Sequence, residues 1–202
     1  MTAGEDILGF PAGDYREPTQ LLYIKELPKL PESLYTEGKG LQLLRISRNT
    51  PEGPVRLKSL HYMNNILAKR ELTTYKSAAG GTEGLMLTEQ GFIAEGIVSN
   101  VFFIREDVLH TPAVGTGILP GITREMVLEL APAAGLRIEE GFYRQEELFA
   151  ADEVFLTNSV QEIVPVTTLW SGAEAISMSG GRCGSRTAGI IRLYRERTVV
   201  LK

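Results

Sequence analysis

Four short segments of this 202-residue chain carry residue types that belong to one kind of chemistry. The first opens on a lysine: Lys58-Ser59-Leu60-His61-Tyr62-Met63-Asn64-Asn65. The second is Ala94-Glu95-Gly96-Ile97-Val98-Ser99-Asn100. The third is Gly117-Ile118-Leu119-Pro120-Gly121-Ile122-Thr123-Arg124, and the fourth is Leu156-Thr157-Asn158-Ser159. A lysine can form an imine with a carbonyl, and it becomes a useful nucleophile when desolvated or set beside other cations. A carboxylate against an aromatic ring nitrogen keeps that nitrogen protonated. Backbone amides at a helix start lack intrahelical partners and sit at the positive end of the helix dipole, which suits a phosphate. In this order the segments look built to hold one phosphorylated aromatic cofactor.

Each residue also has a plainer reading. Lys58 precedes a helix-period stretch, so its ammonium is expected to project into a pocket at a strand-to-helix junction, although most lysines are solvated surface residues. Glu95 follows an expected strand at 92–94 and precedes Gly96, where the backbone can approach a ligand closely. Taken alone it reads as an exposed strand-end glutamate. Ser99 and Asn100 either hydrogen-bond near the cofactor or fix the turn. Ile122 and Thr123 begin a helix after Pro120-Gly121, with Thr123 adding a hydroxyl donor or a cap. Asn158 and Ser159 follow a buried-looking strand and supply short donors. His61 and Tyr62, close to Lys58, are candidates for the substrate side. His110 reads as structural, and two histidines so far apart give no metal signature.

The elements that must position these residues follow from punctuation and periodicity. Residues 20–24 read as a strand leading into an extended linker, because Pro18, Pro28 and Pro31 push their neighbours away from helix. Residues 41–46 read as a second strand. Met63, Ile66, Leu67 and Arg70 recur at helical spacing and are expected to face inward, with Asn64, Asn65, Lys69 and Glu71 opposite. Residues 85–87 and 92–94 flank a polar turn closed by Gly91, a hairpin pattern. Strands are expected at 100–104, 108–109, 136–140 and 153–156. A helix is expected from Ile122 to about Leu130, stopped by Pro132. A short helix over 145–151, a Gly/Ser loop over 177–185 and a closing helix over 187–197 complete the chain. The fold class this implies is α+β, short strands with flanking helices and no βαβ alternation.

Composition narrows the class. The chain is 43% hydrophobic and 23% charged, with a formal charge of −4 and a pI near 5.4, as expected of a globular domain able to bury a core. No cluster of basic residues marks a nucleic-acid footprint. No apolar run approaches the ~20 residues of a membrane helix, and no secretory leader pattern follows Met1. Cys183 is the single cysteine, which rules out an intramolecular disulfide and cysteine-based zinc sites. Its Gly-rich surroundings argue against a nucleophile.

The four segments resemble those of the class IV (fold-type IV) pyridoxal-phosphate aminotransferases and lyases. The resemblance runs from Thr2-Ala3-Gly4 to about Arg195 and is nearest the deoxychorismate lyase branch. It implies the large C-terminal domain of the D-amino-acid aminotransferase-like fold, with strands in a pseudo-barrel. Residues 1–40 would be the last strand of a small domain plus a linker, and 41–202 the cofactor-binding domain. By resemblance, Lys58 is the imine lysine and proton carrier and Glu95 the pyridinium partner. Ser99, Asn100, Ile122, Thr123, Asn158 and Ser159 would complete the pyridoxal 5'-phosphate site. The implied reaction turns 4-amino-4-deoxychorismate into 4-aminobenzoate and pyruvate, on a step towards folate. The partners would be a small amino substrate and a second copy of the chain, in the cytoplasm, with no nucleic acid or membrane. Residues 5–9, Glu5-Asp6-Ile7-Leu8-Gly9, lack the basic residues with which D-amino-acid aminotransferases grip a carboxylate. The tyrosine after Lys58 is offset from the branched-chain pattern. A class IV aminotransferase remains the alternative, as does a non-catalytic large-domain fragment. The family's phosphate-binding arginine, carried by the small domain, has no matching position here, so weak cofactor binding by this chain alone is expected.

Overall fold

The computed structural model describes residues 17–199. Nine strands form one mixed sheet: β1 (Lys39–Leu43), β2 (Glu83–Leu87), β3 (Ile93–Gly96), β4 (Asn100–Arg105), β5 (Val108–Pro112), β6 (Arg137–Gly141), β7 (Glu153–Asn158), β8 (Glu162–Ser171) and β9 (Glu174–Ser177). Their order is β3-β2-β1-β8-β7-β4-β5-β6, with β9 beside β8. Helices α1 (Ser33–Thr36), α2 (Met63–Leu72), α3 (Ile122–Leu130), α4 (Gln145–Phe149) and α5 (Ser185–Val199) flank it.

The sheet curls until its ends meet. Phe92, just before β3, bridges Arg144, just after β6, and the Ile93 N–H donates to the Tyr143 carbonyl at 2.7 Å. Strand alternation then sorts the core into separate layers. Val101 and Phe103 of β4 join Leu41, Leu85, Ile93, Val154 and Leu156 in one cluster. Their neighbours Phe102 and Ile104 pack on the opposite face with Phe155, Val127 and the α5 residues Ile190, Ile191 and Tyr194. A smaller cluster of Leu44, Ala68, Leu72, Met86 and Ile97 sits beneath α2. The pseudo-barrel expected from the family resemblance is therefore present.

Several local expectations are corrected. Residues 20–24 form no strand: Leu22 and Ile24 are each 89% exposed, and these residues have no sheet neighbour among the described residues. The segment Thr2 to Tyr15, used in the subfamily reading, lies outside the described residues. Strands β8 and β9 are not foreshadowed by the sequence pattern. Pro165 argues against a central strand because it cannot donate to a ladder. The structure tolerates it because β1 joins β8 only from Val166 onward, while β7 pairs Phe155 with Pro165 on the other side. Two βαβ units also exist, since β1 and β2 are parallel neighbours across α2, and β5 and β6 across α3.

Helix α2 is rotated relative to its apolar pattern. It buries Asn65, Ala68 and Leu72, while Met63, Ile66 and Leu67 are exposed. Polar Asn65 is drawn inward because its amide donates to the Ile97 carbonyl. The helix that opens the third segment behaves as read: α3 ends at Leu130, and Pro132 continues it only as a 3-10 turn, Ala131–Ala134.

Two buried titratable groups stabilise this frame and give it measurable signatures. Glu153 opens β7 and accepts the Arg186 and Thr187 N–H groups at 3.0 and 2.8 Å and the Thr187 hydroxyl at 2.6 Å, so an anion sits on the start of α5. Glu153→Ala should destabilise the fold by about 2–3 kcal/mol in urea unfolding, the usual range for losing hydrogen bonds to a charged group. His110 stacks on Phe103 at 4.8 Å with its Nδ1 3.3 Å from the Tyr143 hydroxyl. Burial holds His110 below its ordinary 6.5, partly offset by Glu139. With the folded value depressed, the unfolded chain takes up the proton first as pH falls, so stability should drop progressively below about pH 6.5. His110→Phe should flatten that part of the profile; an equally steep fall in the variant would assign it to other groups.

Candidate active site

The four segments converge on one cleft of about 270 Å³. Lys58, His61, Tyr62, Glu95, Ser99, Asn100, Ile122, Thr123, Asn158 and Ser159 all line it. The topology explains the meeting. Glu95 lies near the end of β3, Asn100 opens β4, and Asn158 closes β7, so three strand ends point to one place. The start of α3 and the loop before α2 close over them. β4 and β7 are direct neighbours, with Asn100 opposite Thr157.

Glu95 is not the exposed strand-end residue of the plain reading; it is 5% exposed. Its Oε1 accepts from Arg48 Nε at 2.7 Å, with Arg56 Nε 3.8 Å away. Its Oε2 accepts from the Leu119 N–H at 2.9 Å, with Asn100 Nδ2 at 3.5 Å. Asn100 also donates to the Leu119 carbonyl at 2.8 Å, so it fixes the loop before α3 while touching Glu95. Gly121 must lack a side chain, since a Cβ there would overlap the Asn100 carboxamide. Gly96 is required in the same way beneath the Ser99 hydroxyl.

Arg48 and Arg56 are cleft residues that sequence reading missed. Both come from the aperiodic stretch between β1 and α2, where nothing in the pattern says which basic residue turns inward. Arg48 Nη1 donates to Asn64 Oδ1 at 2.8 Å and Asn49 Oδ1 at 3.0 Å. Arg56 Nε donates to the Gly117 carbonyl at 2.6 Å, and its Nη2 to the Asn49 carbonyl. Burial lowers the Arg56 pKa, the Arg48 charge adds to that, and Glu95 opposes it. The cleft thus holds two guanidinium groups where none was expected.

Lys58 also departs from expectation. It lines the cleft but stands exposed on its open side, because residues 52–62 have no helix or strand and only Arg56 among them is buried. His61 and Tyr62 flank the same opening, both exposed. At the other end, α3 begins at Ile122 with Gly121 as N-cap and no side chain capping it. Thr123 is buried, and its hydroxyl lies beside the phenol of Tyr194, whose pKa burial raises and this contact lowers. Asn158 Oδ1 accepts the Val160 and Gln161 N–H groups at 3.0 and 2.7 Å, which leaves its Nδ2 as the donor.

Two buried hydroxyls in the wall, Ser99 Oγ and Thr157 Oγ1, have no hydrogen-bond partner among the described residues. Buried polar atoms are normally satisfied, so this pair marks a surface shaped for something that supplies partners. The arrangement offers a buried anion, a helix start and hydroxyls for an anionic group, and a primary amine at the mouth. Among the described residues no cluster of His, Cys, Asp or Glu is placed to hold a metal ion. No helix of the described residues is long and apolar enough to cross a membrane.

A curled mixed sheet with a buried glutamate at a strand end and a lysine across the same cleft defines a recognisable class. The chain belongs to the amino-transferase class IV family, whose sequence model matches residues 2–169. It is 42% identical over 196 residues to the aminodeoxychorismate lyase of Bacillus subtilis (strain 168), covering 97% of this chain and 63% of that protein. A branched-chain-amino-acid aminotransferase of Escherichia coli (strain K12) is 35% identical over 134 residues, covering 66% of this chain and 41% of that protein. The crystal structure of the Escherichia coli branched-chain enzyme superposes with a TM-score of 0.73 at 27% identity, covering 86% of this chain and 55% of that one. A second branched-chain amino acid aminotransferase, from T.th. and solved with pyridoxamine 5'-phosphate, gives 0.72 at 29% identity, covering 84% and 53%. The chain therefore spans between about two fifths and two thirds of the length of these relatives.

The unpartnered wall predicts a stability effect in the ligand-free protein. Thr157→Val keeps the shape and removes a hydroxyl that is desolvated without compensation, a burden of about 1–3 kcal/mol for such groups. Urea unfolding should show the variant to be more stable than the parent by about 1 kcal/mol. A loss of stability would mean the hydroxyl is already satisfied.

Proposed function

We propose that this cleft binds pyridoxal 5'-phosphate with Lys58 as its covalent partner, and that the chain carries the active centre of a 4-amino-4-deoxychorismate lyase. The observation that carries this reading is the meeting of Lys58, Glu95 and the α3 start in one cleft. The residues fit the group. The uncapped amides of Ile122 and Thr123, the Ser159 hydroxyl and the Asn158 amide suit a phosphate. Glu95, ion-paired to Arg48, suits a ring nitrogen. The orphaned Ser99 and Thr157 hydroxyls supply hydrogen-bonding capacity between them.

When bound, the cofactor supplies an electron sink for the carbon that bears the substrate's amine. Lys58 would hold the cofactor and, once its amine is free, would take the proton from that carbon. Glu95 would hold the ring nitrogen in its protonated form. Loss of the enolpyruvyl group would leave an aromatic ring; Lys58 would return its proton to that group to give pyruvate, and its amine would then displace 4-aminobenzoate from the cofactor. His61 and Tyr62, exposed at the opening, would contact the substrate. Apolar side chains that line the cleft yet stand exposed, Leu57, Val98 and Ile122, support a homodimer that covers this face.

Borohydride reduction in the presence of pyridoxal 5'-phosphate, followed by peptide mapping, should place the label on Lys58; a label on Lys69 instead would refute the assignment. Incubation of the chain, joined to any upstream sequence it has, with 4-amino-4-deoxychorismate should release 4-aminobenzoate without a keto-acid co-substrate. Transamination of D-alanine or branched-chain amino acids with no aromatic product would replace the lyase reading by an aminotransferase one.

A further inference from the structure

Resting on that reading of the cleft, we infer that Arg48 is the positioning residue that keeps the Glu95 carboxylate charged and aimed at the ring nitrogen, with Asn64 as its anchor. The pair is deeply placed, the two side chains being 7% and 6% exposed. Two charges at that depth are stable together only if their buried hydrogen-bonding groups find partners, and among the described residues neither Arg48 nor Glu95 has a buried side-chain nitrogen or oxygen left without one. Arg48 turns its Nε to Glu95 and its Nη1 to Asn64 and Asn49. Its own backbone N–H is pinned to the Leu87 carbonyl at the end of β2, at 2.8 Å.

Asn64 completes the anchor from the helix that follows Lys58. Its Oδ1 takes Arg48 Nη1 and its Nδ2 donates to the Ser47 carbonyl at 3.0 Å. Arg56 is a second charge, but its Nε is committed to the Gly117 carbonyl and stands 3.8 Å from Glu95. On the other oxygen, the Leu119 N–H at 2.9 Å holds Glu95 Oε2. The carboxylate is therefore gripped at both oxygens. Of its roughly four lone-pair sites, these two bonds and the Asn100 Nδ2 contact at 3.5 Å occupy about three, and Glu95 lines the cleft with what remains.

Without the guanidinium, a buried carboxylate takes up a proton or swings toward water. Either outcome leaves the ring nitrogen without an anionic partner. Arg48 would act through Glu95 and need not touch the substrate.

The test is made on the chain loaded with pyridoxal 5'-phosphate isotopically labelled at its ring nitrogen, whose NMR shift reports protonation of that atom. The wild type should show the protonated signal. Arg48→Gln should lose most of it, Arg48→Lys should largely restore it, and Glu95→Gln should serve as the reference for complete loss. Turnover in Arg48→Gln should fall about tenfold or more with little change in KM, as when a hydrogen bond to a charged group is lost from the transition state. If Arg48→Gln does not fold, Asn64→Ala keeps the charge but frees its outer nitrogen, and should give an intermediate signal. Cofactor bound with an unchanged ring-nitrogen signal in Arg48→Gln, or in Asn64→Ala where that is the variant available, would overturn the inference. Absence of bound cofactor in the wild type would instead overturn the proposed function and this inference with it.

Discussion

A carboxylate buried at the end of a strand has to be neutralised where it stands, and that requirement ties four separate parts of this chain together. Glu95 comes from β3, Arg48 from the stretch after β1, the Leu119 amide from the loop before α3, and Asn64 and Asn65 from α2. Breaking a buried ion pair by removing one partner usually costs several kcal/mol. The network therefore fixes the relative placement of β3, α2 and the α3 start more tightly than apolar packing would. Packing tolerates small slides, whereas directional bonds to a charge do not. The glycines around it answer the same constraint, because Gly96 and Gly121 admit side chains of Ser99 and Asn100 that any Cβ would displace.

The curl of the sheet puts that network at an opening. A flat mixed sheet of this order would leave β3 and β6 at opposite edges. Here the contact of Phe92 and Ile93 with Tyr143 and Arg144 brings them together, and a large apolar cluster that includes both Ile93 and Tyr143 fills the interior. Strand ends at one rim then share a cleft, and the helix starts arrive there because α2 and α3 are both crossovers between parallel strands. Ligands of α/β folds favour such places for the same reason: strand ends present unpaired backbone and helix starts present unpaired amides. Branched-chain aminotransferases share this frame, as the superposition shows. A frame shared by different chemistries assigns a cleft and leaves the substrate to side chains around it.

The order of residue types along the chain determined a good deal without any coordinates. Hairpin β2–β3 was legible because Gly91, with a φ of +81°, follows a polar turn between two apolar runs. Helix α3 was legible at both ends, from Pro120-Gly121 and from Pro132. The candidate cleft residues were legible as segments, three of the four setting a chemical group beside a glycine or a strand end, and the structure gathers all ten residues in one cleft. These are local signals: turn chemistry, helix stops and alternation each act within a few residues.

Tertiary structure decided whatever depended on a distant partner. The apolar run at 20–24 had the composition of a strand and no edge to join. Pro165 is tolerated inside a central strand because β1 pairs with β8 only from one residue beyond it. Helix α2 turned its polar Asn65 inward because the Ile97 carbonyl and Arg48 await it there, a reversal no periodicity could announce. Arg48 and Arg56 are the sharpest case. Sequence gives a basic residue a charge but not a direction, and only the buried Glu95 carboxylate, 47 positions along the chain from Arg48, supplies the field that draws it inward. Chemistry type was therefore written locally, while its neutralisation, orientation and solvent exposure, Lys58 at the open mouth included, arose from contacts between segments far apart in sequence.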